Sequence, residues 1–351
     1  MKTKAKYAVL LTLLVGISRQ AVMAMPMLSI GISGTLTQLA NDSVNLSRAD
    51  GLAFDHFGNL FATREVLGSN GGLTYVDIAN GTTSKLLSLS GTDQVELLAN
   101  GNLIVSTELS GASTTNRLYQ VSIDYDANNI PLSVTANSIT TSLGLDNPEG
   151  IAIIQSDNAY GNAGDFLISE DINPGSIFSH SLAGNTATSS LLTSGLARAE
   201  GLALGSFNGA IATSLFVTET DTNEISLISS TGAISLFGDP SSVNLTSPDN
   251  IMFGLDGYLY VSEDVNAGNG RIIRIDSQGN YSVFAEGFSE PQGMVIDQTT
   301  GDMYIAEQAT HTIWRVSSAN ASVPAPTPLL LLISGTLIFG QFKRRTMQVK
   351  G

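Results

Sequence analysis

Five carboxylates stand at the start of similar stretches of the chain: Asp50, Asp93, Glu149, Glu200 and Asp249, the last followed by Asn250. A sixth stretch opens with Gln292 in the same place. Carboxylates that converge raise one another's pKa and destabilise a fold unless a cation sits among them. Calcium accepts about 6 to 8 oxygens from carboxylates, amides and water, which suits such a set. Zinc takes His or Cys, and these positions offer neither. The expected chemistry is therefore a central Ca²⁺ held by some of Asp50, Asp93, Glu149, Glu200, Asp249 and Asn250. The competing reading is local: an acid at a strand end caps a turn by accepting backbone N–H bonds.

The elements that must position these residues are legible in the same stretches. "PDNIMFGLDGYLYVSED" (248 to 264) alternates apolar and polar residues, turns at Asp256-Gly257 and alternates again, which predicts an antiparallel hairpin. It recurs as "ADGLAFDHFGNLFATRE", "TDQVELLANGNLIVSTE", "PEGIAIIQSDNAYGNAGDFLISED", "AEGLALGSFNGAIATSLFVTET" and "PQGMVIDQTTGDMYIAEQ". A third short run follows each copy, as in "RIIRID" (271 to 276), and usually a fourth, as in "YSVFAE" (281 to 286). Four strands per repeat of this length predict the blades of a propeller. The last copy ends at "TIWRVS" (312 to 317) without a fourth strand, while "GTLTQLA" (34 to 40) is a strand without a blade. The fold class expected is all-β, a six-bladed β-propeller closed by an N-terminal strand, which leaves fewer exposed sheet edges. Each hairpin starts and ends on one face of the disc. The anchors should then ring the channel, and Glu65, Glu108, Glu170, Asp171, Glu219, Glu263, Asp264 and Glu307 should form a wider ring, mostly as turn caps.

Stretches 248 to 276 and 291 to 316 resemble NHL-type repeats and the calcium-dependent six-bladed propellers of the gluconolactonase (regucalcin-like), paraoxonase and strictosidine-synthase-like superfamily. Asp249-Asn250 resembles the paired Asp-Asn ligands of paraoxonases, and "DQVELLANG" (93 to 101) the segment that supplies their acidic ligand, at Asp93 here. Glu149 and Glu200 stand where those lactonases place Asn ligands. The resemblance implies hydrolysis of a lactone or ester, with calcium polarising the carbonyl and an acid or His activating water. His311 is the histidine candidate for the base, with packing at a loop as its competing role; His56 lies in a turn on the far face and His180 follows a third strand. Arg271 and Arg315 are expected in structural ion pairs, and "DYDANN" (124 to 129) as a surface turn. The G-x-S-x-G, H-E-x-x-H and GxxxxGK[ST] motifs are absent. The competing function is a non-catalytic module that binds an extracellular polysaccharide or protein.

The ends of the 351-residue chain bound where this would happen. Residues 1–24 read as a signal peptide: Lys2, Lys4 and Lys6, an apolar run, then Val22-Met23-Ala24. The propeller is expected over 25–318, a Ser/Ala/Pro linker over 319–328 and a hydrophobic segment over 329–351 that includes Lys343, Arg344 and Arg345. This tail resembles the PEP-CTERM sorting signal of exported bacterial proteins, with Ala325 in place of the usual Glu, and implies processing by an exosortase-type enzyme. The alternative is a plain membrane anchor. Either reading places the domain in the periplasm, on the cell surface or in the extracellular matrix. With both ends set aside, 8 bases face 31 acids, a net of −23. That field repels phosphate backbones and excludes nucleic acid as a partner. The chain has no cysteine, so neither disulfides nor thiolates contribute.

Overall fold

The computed structural model describes residues 25–207 and 213–317. The signal, linker and tail expectations lie outside the described residues. Within them, no helix is long and apolar enough to cross a membrane.

The recurrent hairpins pair as Ala49–Phe54 with Leu60–Arg64, Thr92–Leu97 with Leu103–Thr107, and Pro148–Ile153 with Phe166–Glu170. Ala199–Gly205 with Ser214–Glu219, Pro248–Phe253 with Leu259–Glu263, and Pro291–Ile296 with Met303–Glu307 complete the set. The first strand of each hairpin packs beside the first strand of the next, and the last beside the first, so the six form a closed ring. Third and fourth strands extend outward from it, which makes the molecule an all-β propeller. Thr35–Asn41 pairs antiparallel with Thr312–Ser317, so the N-terminal strand completes the sheet of the last repeat.

The sheets are five, where the repeats alone predict six separate ones. The second and third repeats share one eight-stranded sheet because their outer strands, Pro131–Thr141 and Thr186–Leu196, are 11 residues long. Their ends overrun the blade and meet in a short parallel bridge, Thr140 opposite Thr186 and Thr141 opposite Ala187. The fifth repeat gains an extra edge strand, Met27–Leu28, on Tyr281–Phe288.

Apolar clusters fill the gaps between neighbouring repeats. Phe216, Ile251, Val261 and Ile273 share one, and Phe207 joins Phe216, Phe237 and Phe253 in a nest of edge-to-face and stacked rings. Burial of such side chains supplies roughly 1.5 to 3 kcal/mol each relative to exposure.

Three backbone devices recur in all six hairpins and set where the anchors point. The register slips by one residue at the anchor, so the anchor and its successor lie opposite a single residue; Pro148 pairs with Glu170 but Ile151 with Ile168. This bulge re-aims the side chains. Two residues before each anchor the backbone is left-handed, at Arg48, Gly91, Asn147, Arg198, Ser247 and Glu290, with φ between 42° and 62°. The carbonyl of that residue accepts the N–H of the residue just past the second strand, as Arg48 does from Glu65 (3.0 Å) and Asn147 from Asp171 (2.9 Å).

Neighbouring hairpins are also stitched through the anchor carbonyls. Ser106 Oγ donates to the Glu149 carbonyl (2.8 Å) and Thr218 Oγ1 to that of Asp249 (2.6 Å), while Thr63 and Ser169 serve Asp93 and Glu200 in the same way. In four of the six repeats the close approach needs glycine after the anchor: a Cβ on Gly201 would lie 2.5 Å from the Asp249 carbonyl oxygen and 2.8 Å from the Asn250 Cα. We expect Gly201→Ala to destabilise the protein by more than about 2 kcal/mol, since both obstructing atoms are backbone. Urea denaturation checks this; an unchanged midpoint would show that the repeats slide apart freely.

Candidate functional site

Each anchor is the first residue of its bulge, at the channel end of an inner strand. Asp50, Asp93, Glu149, Glu200 and Asp249 are all buried. Glu149, Glu200 and Asp249, from three successive repeats, bring one carboxylate oxygen each to within 4.8 Å of one another. Asp93 and Asp249 each keep a buried Oδ1 that no donor satisfies. Burial first, then the surrounding carboxylates, pushes Asp50, Asp93, Glu149 and Asp249 well above the usual carboxylate range. Glu200 is pushed up to about 8, chiefly by burial, with a Thr220 hydrogen bond and the Arg198 charge opposing the rise.

Asp50 is placed differently. Gln94 Nε2 donates to its Oδ1 (3.3 Å) and Gln308 Nε2 to its Oδ2 (3.2 Å), so amides clamp both oxygens. The residue after the anchor is glycine in four repeats, but Gln94 and Asn250 in the second and fifth, which face each other across the ring. Asn250 Nδ2 donates to Gln94 Oε1 (3.4 Å), and Asn250 Oδ1 accepts the Met294 N–H (3.3 Å). The amide of Asn250 is thus engaged in a bridge that spans the channel.

The outer acids divide into two sets. Glu170, Glu219, Glu263 and Glu307 end their strands, are buried, and accept the backbone N–H three residues before the anchor: Asp146 (2.8 Å), Ala197 (2.7 Å), Thr246 (2.9 Å) and Ser289 (2.6 Å). Capping holds for these. Glu65, Glu108, Asp171 and Asp264 lie one residue further on, in a tier with Thr220 and Gln308, and their charges act on the anchors. A polar arc runs through this tier. Arg48 pairs with Glu65, Gln308 Nε2 donates to Glu65 Oε2 (2.9 Å), and Asn147 Nδ2 donates to Glu108 Oε1 (3.1 Å) and Asp171 Oδ2 (3.3 Å). Arg198 Nε then donates to Asp171 Oδ1 (2.7 Å), and its guanidinium lies 3.8 Å from Glu200. Burial raises the Glu108 pKa, and the Glu65 charge adds to it.

The histidines stand apart from the anchors. His311 sits in a turn with its Nδ1 3.5 Å from the Arg48 amide. His180 is fully buried, stacked on Phe166 and bonded to Ser189 Oγ (3.0 Å); burial lowers its pKa to about 4. His56 packs on Phe57. Arg271 pairs with Glu263, and Arg315 with Asp302. Asp126 in the "DYDANN" stretch accepts the amides of Asn128 (2.8 Å) and Ile130 (2.9 Å), a turn. Sequence reasoning did not find the glutamine clamps, the Gln94–Asn250 bridge or the arginines of the left-handed positions. The break in the glycine pattern at 94 and 250 is the signal that could have found the bridge.

The fold is similar to solved propellers of several activities. A gluconolactonase from Xanthomonas campestris aligns at 14% identity over 84% of this chain and 94% of its own, with a TM-score of 0.59. An auxiliary nutrient binding protein from Bacteroides thetaiotaomicron aligns at 12% identity over 81% of this chain and 76% of its own, TM-score 0.56. A luciferin-regenerating enzyme aligns at 13% over 82% and 96%, TM-score 0.55. No protein-family model matches the chain, and no curated protein matches it in sequence.

The raised Glu200 pKa fixes a sign for pH dependence. Unfolded, the group titrates near 4.5; folded, near 8. Between these values the unfolded chain has released a proton that the folded one retains, so stability falls as pH rises, by up to about 1.4 kcal/mol per unit. With divalent ions chelated, the melting temperature should drop from pH 5 to pH 8, and Glu200→Gln should flatten the slope. A melting temperature that rises over this interval in both proteins would contradict the charge arrangement.

Proposed function

We propose that this protein is an exported six-bladed propeller that binds calcium at the acidic mouth of its channel and hydrolyses a lactone or ester there. In this reading each four-stranded half of the eight-stranded sheet is one blade. The observation that carries the cation is the cluster of Glu149, Glu200 and Asp249 oxygens within 4.8 Å, together with the unsatisfied Oδ1 of Asp249 and of Asp93. Buried anionic oxygens without donors fit a hard cation, and oxygen-only ligands fit calcium. Glu149, Glu200 and Asp249 would hold it, with Asp93 beside them. Asp50, whose oxygens are taken by Gln94 and Gln308, would contribute charge instead of a ligand.

Bound calcium would supply the Lewis acidity that polarises a carbonyl. The chain's own residues would do the rest. Glu108 stands in the tier above the anchors, held by Asn147, with its pKa raised by burial and by the Glu65 charge, and is the group best suited to take a proton from water. His311 is turned to the Arg48 amide and suits this less well. The hydrolytic activity draws its support from the gluconolactonase-like fold and from this arrangement.

A second reading keeps the cation and drops the reaction: a surface module that holds a polysaccharide or protein on its mouth. The absence of histidine contacts to the anchors among the described residues, and a fold shared with a nutrient binding protein, favour it. The signal-like residues 1–24 and the tail 329–351 support export and exosortase-type processing in both.

Titration calorimetry with calcium should give a saturable heat that Asp249→Asn and Glu200→Gln each weaken at least tenfold. A flat titration and a melting temperature insensitive to chelator would remove the cation. In a screen of lactones and aryl esters, turnover that needs calcium and is lost in Asp249→Ala supports the enzyme; no turnover with retained calcium binding supports the module.

A further inference from the structure

Arg64 is 3% exposed, and its Nε is sealed from solvent without a partner. Among the described residues, no hydrogen bond or ion pair engages its guanidinium. Nε is thus a buried donor without an acceptor, which costs about 1 to 3 kcal/mol, while the two Nη atoms are not sealed from solvent.

The position makes this more than an isolated oddity. Arg64 ends the second strand of the first repeat, where Glu170, Glu219, Glu263 and Glu307 end theirs. In those repeats a carboxylate accepts a backbone N–H; here five donors occupy the slot. Cross-strand register puts Arg64 on the same sheet face as Ala62, Thr74 and Lys85, opposite to Thr63, which bonds the next repeat. Thr74 Oγ1 donates to the Asn45 carbonyl (2.6 Å), so this face is turned to segment 42–47. Lys85 donates to the Ser69 carbonyl and, among the described residues, has no acidic partner. Ser69 lies in the segment that leaves the Arg64 strand, so this bond draws the Lys85 ammonium toward the Arg64 end of the sheet; burial, and then the Arg64 charge, lower the Lys85 pKa. Asp42 is the acid whose charge reaches Arg64, but its carboxylate is already occupied by the Val44 and Asn45 amides (2.8 and 3.0 Å) and by Thr83 Oγ1 (2.5 Å).

We propose that Arg64 and Lys85 bind a small oxyanion of the phosphate or sulfate type on the face of the first repeat turned to segment 42–47. A guanidinium offers the fork that receives two oxygens of such an ion, and the ammonium adds a point charge. The site is separate from the channel cation and does not depend on it.

The test is thermal unfolding of the full chain in chelator with increasing inorganic phosphate, against sulfate, acetate and chloride at matched ionic strength. Phosphate or sulfate should raise the melting temperature saturably beyond chloride. Arg64→Met should abolish the difference, Lys85→Met should weaken the apparent affinity roughly tenfold, and Asp249→Asn should leave it unchanged. Equal responses to phosphate, sulfate and chloride would reduce the effect to screening and overturn the proposal. An unaltered phosphate response in Lys85→Met would also overturn it, even if Arg64→Met fails to fold.

Discussion

The structure depends on one electrostatic constraint: carboxylates from five repeats are buried at one end of a closed ring of inner strands. Like charges so placed repel, and the ring tolerates them through backbone devices that leave no freedom to splay. The bulge turns each anchor inward, the left-handed residue before it binds the chain just past the second strand, and at four of the six a hydroxyl from the neighbouring hairpin fixes the anchor carbonyl. These bonds are individually worth about 1 kcal/mol. Repeated round a ring that closes on itself, they set the positions of atoms whose separation governs the pKa of every anchor.

The acids of the mouth do three different things. The four strand-end glutamates are internal fixtures that hold the turn before each anchor. The tier beyond them is a hydrogen-bonded arc in which Arg48 and Arg198 offset part of the charge. The anchors carry the burden of desolvation, and two of them, Asp93 and Asp249, keep an unsatisfied oxygen. A protein with a net of −23 outside its ends therefore concentrates its electrostatic cost in one small volume, which is where a cation changes stability most.

Much of this was legible in the sequence. The period of the hairpins, the anchor acids and the N-terminal strand that joins Thr312–Ser317 follow from alternation and spacing. The division of the outer acids was not, because Glu170 and Asp171 are neighbours in sequence and only the bulge and the strand twist send one inward and the other to the mouth. The left-handed backbone at Arg48, Arg198 and Glu290 was hidden, since none of these residues advertises that conformation as glycine does. The fused second and third sheets were hidden too, for strand length beyond the blade is set by packing and not by pattern. Neither the Asp50 clamp nor the solitary Arg64 has a local signature; both arise from residues far apart in the chain.

The amide bridge from Gln94 to Asn250 joins residues 156 apart in the chain, on opposite sides of the ring. It forms only once the repeats between them are in place, so it depends on closure of the ring and not on the folding of any one repeat.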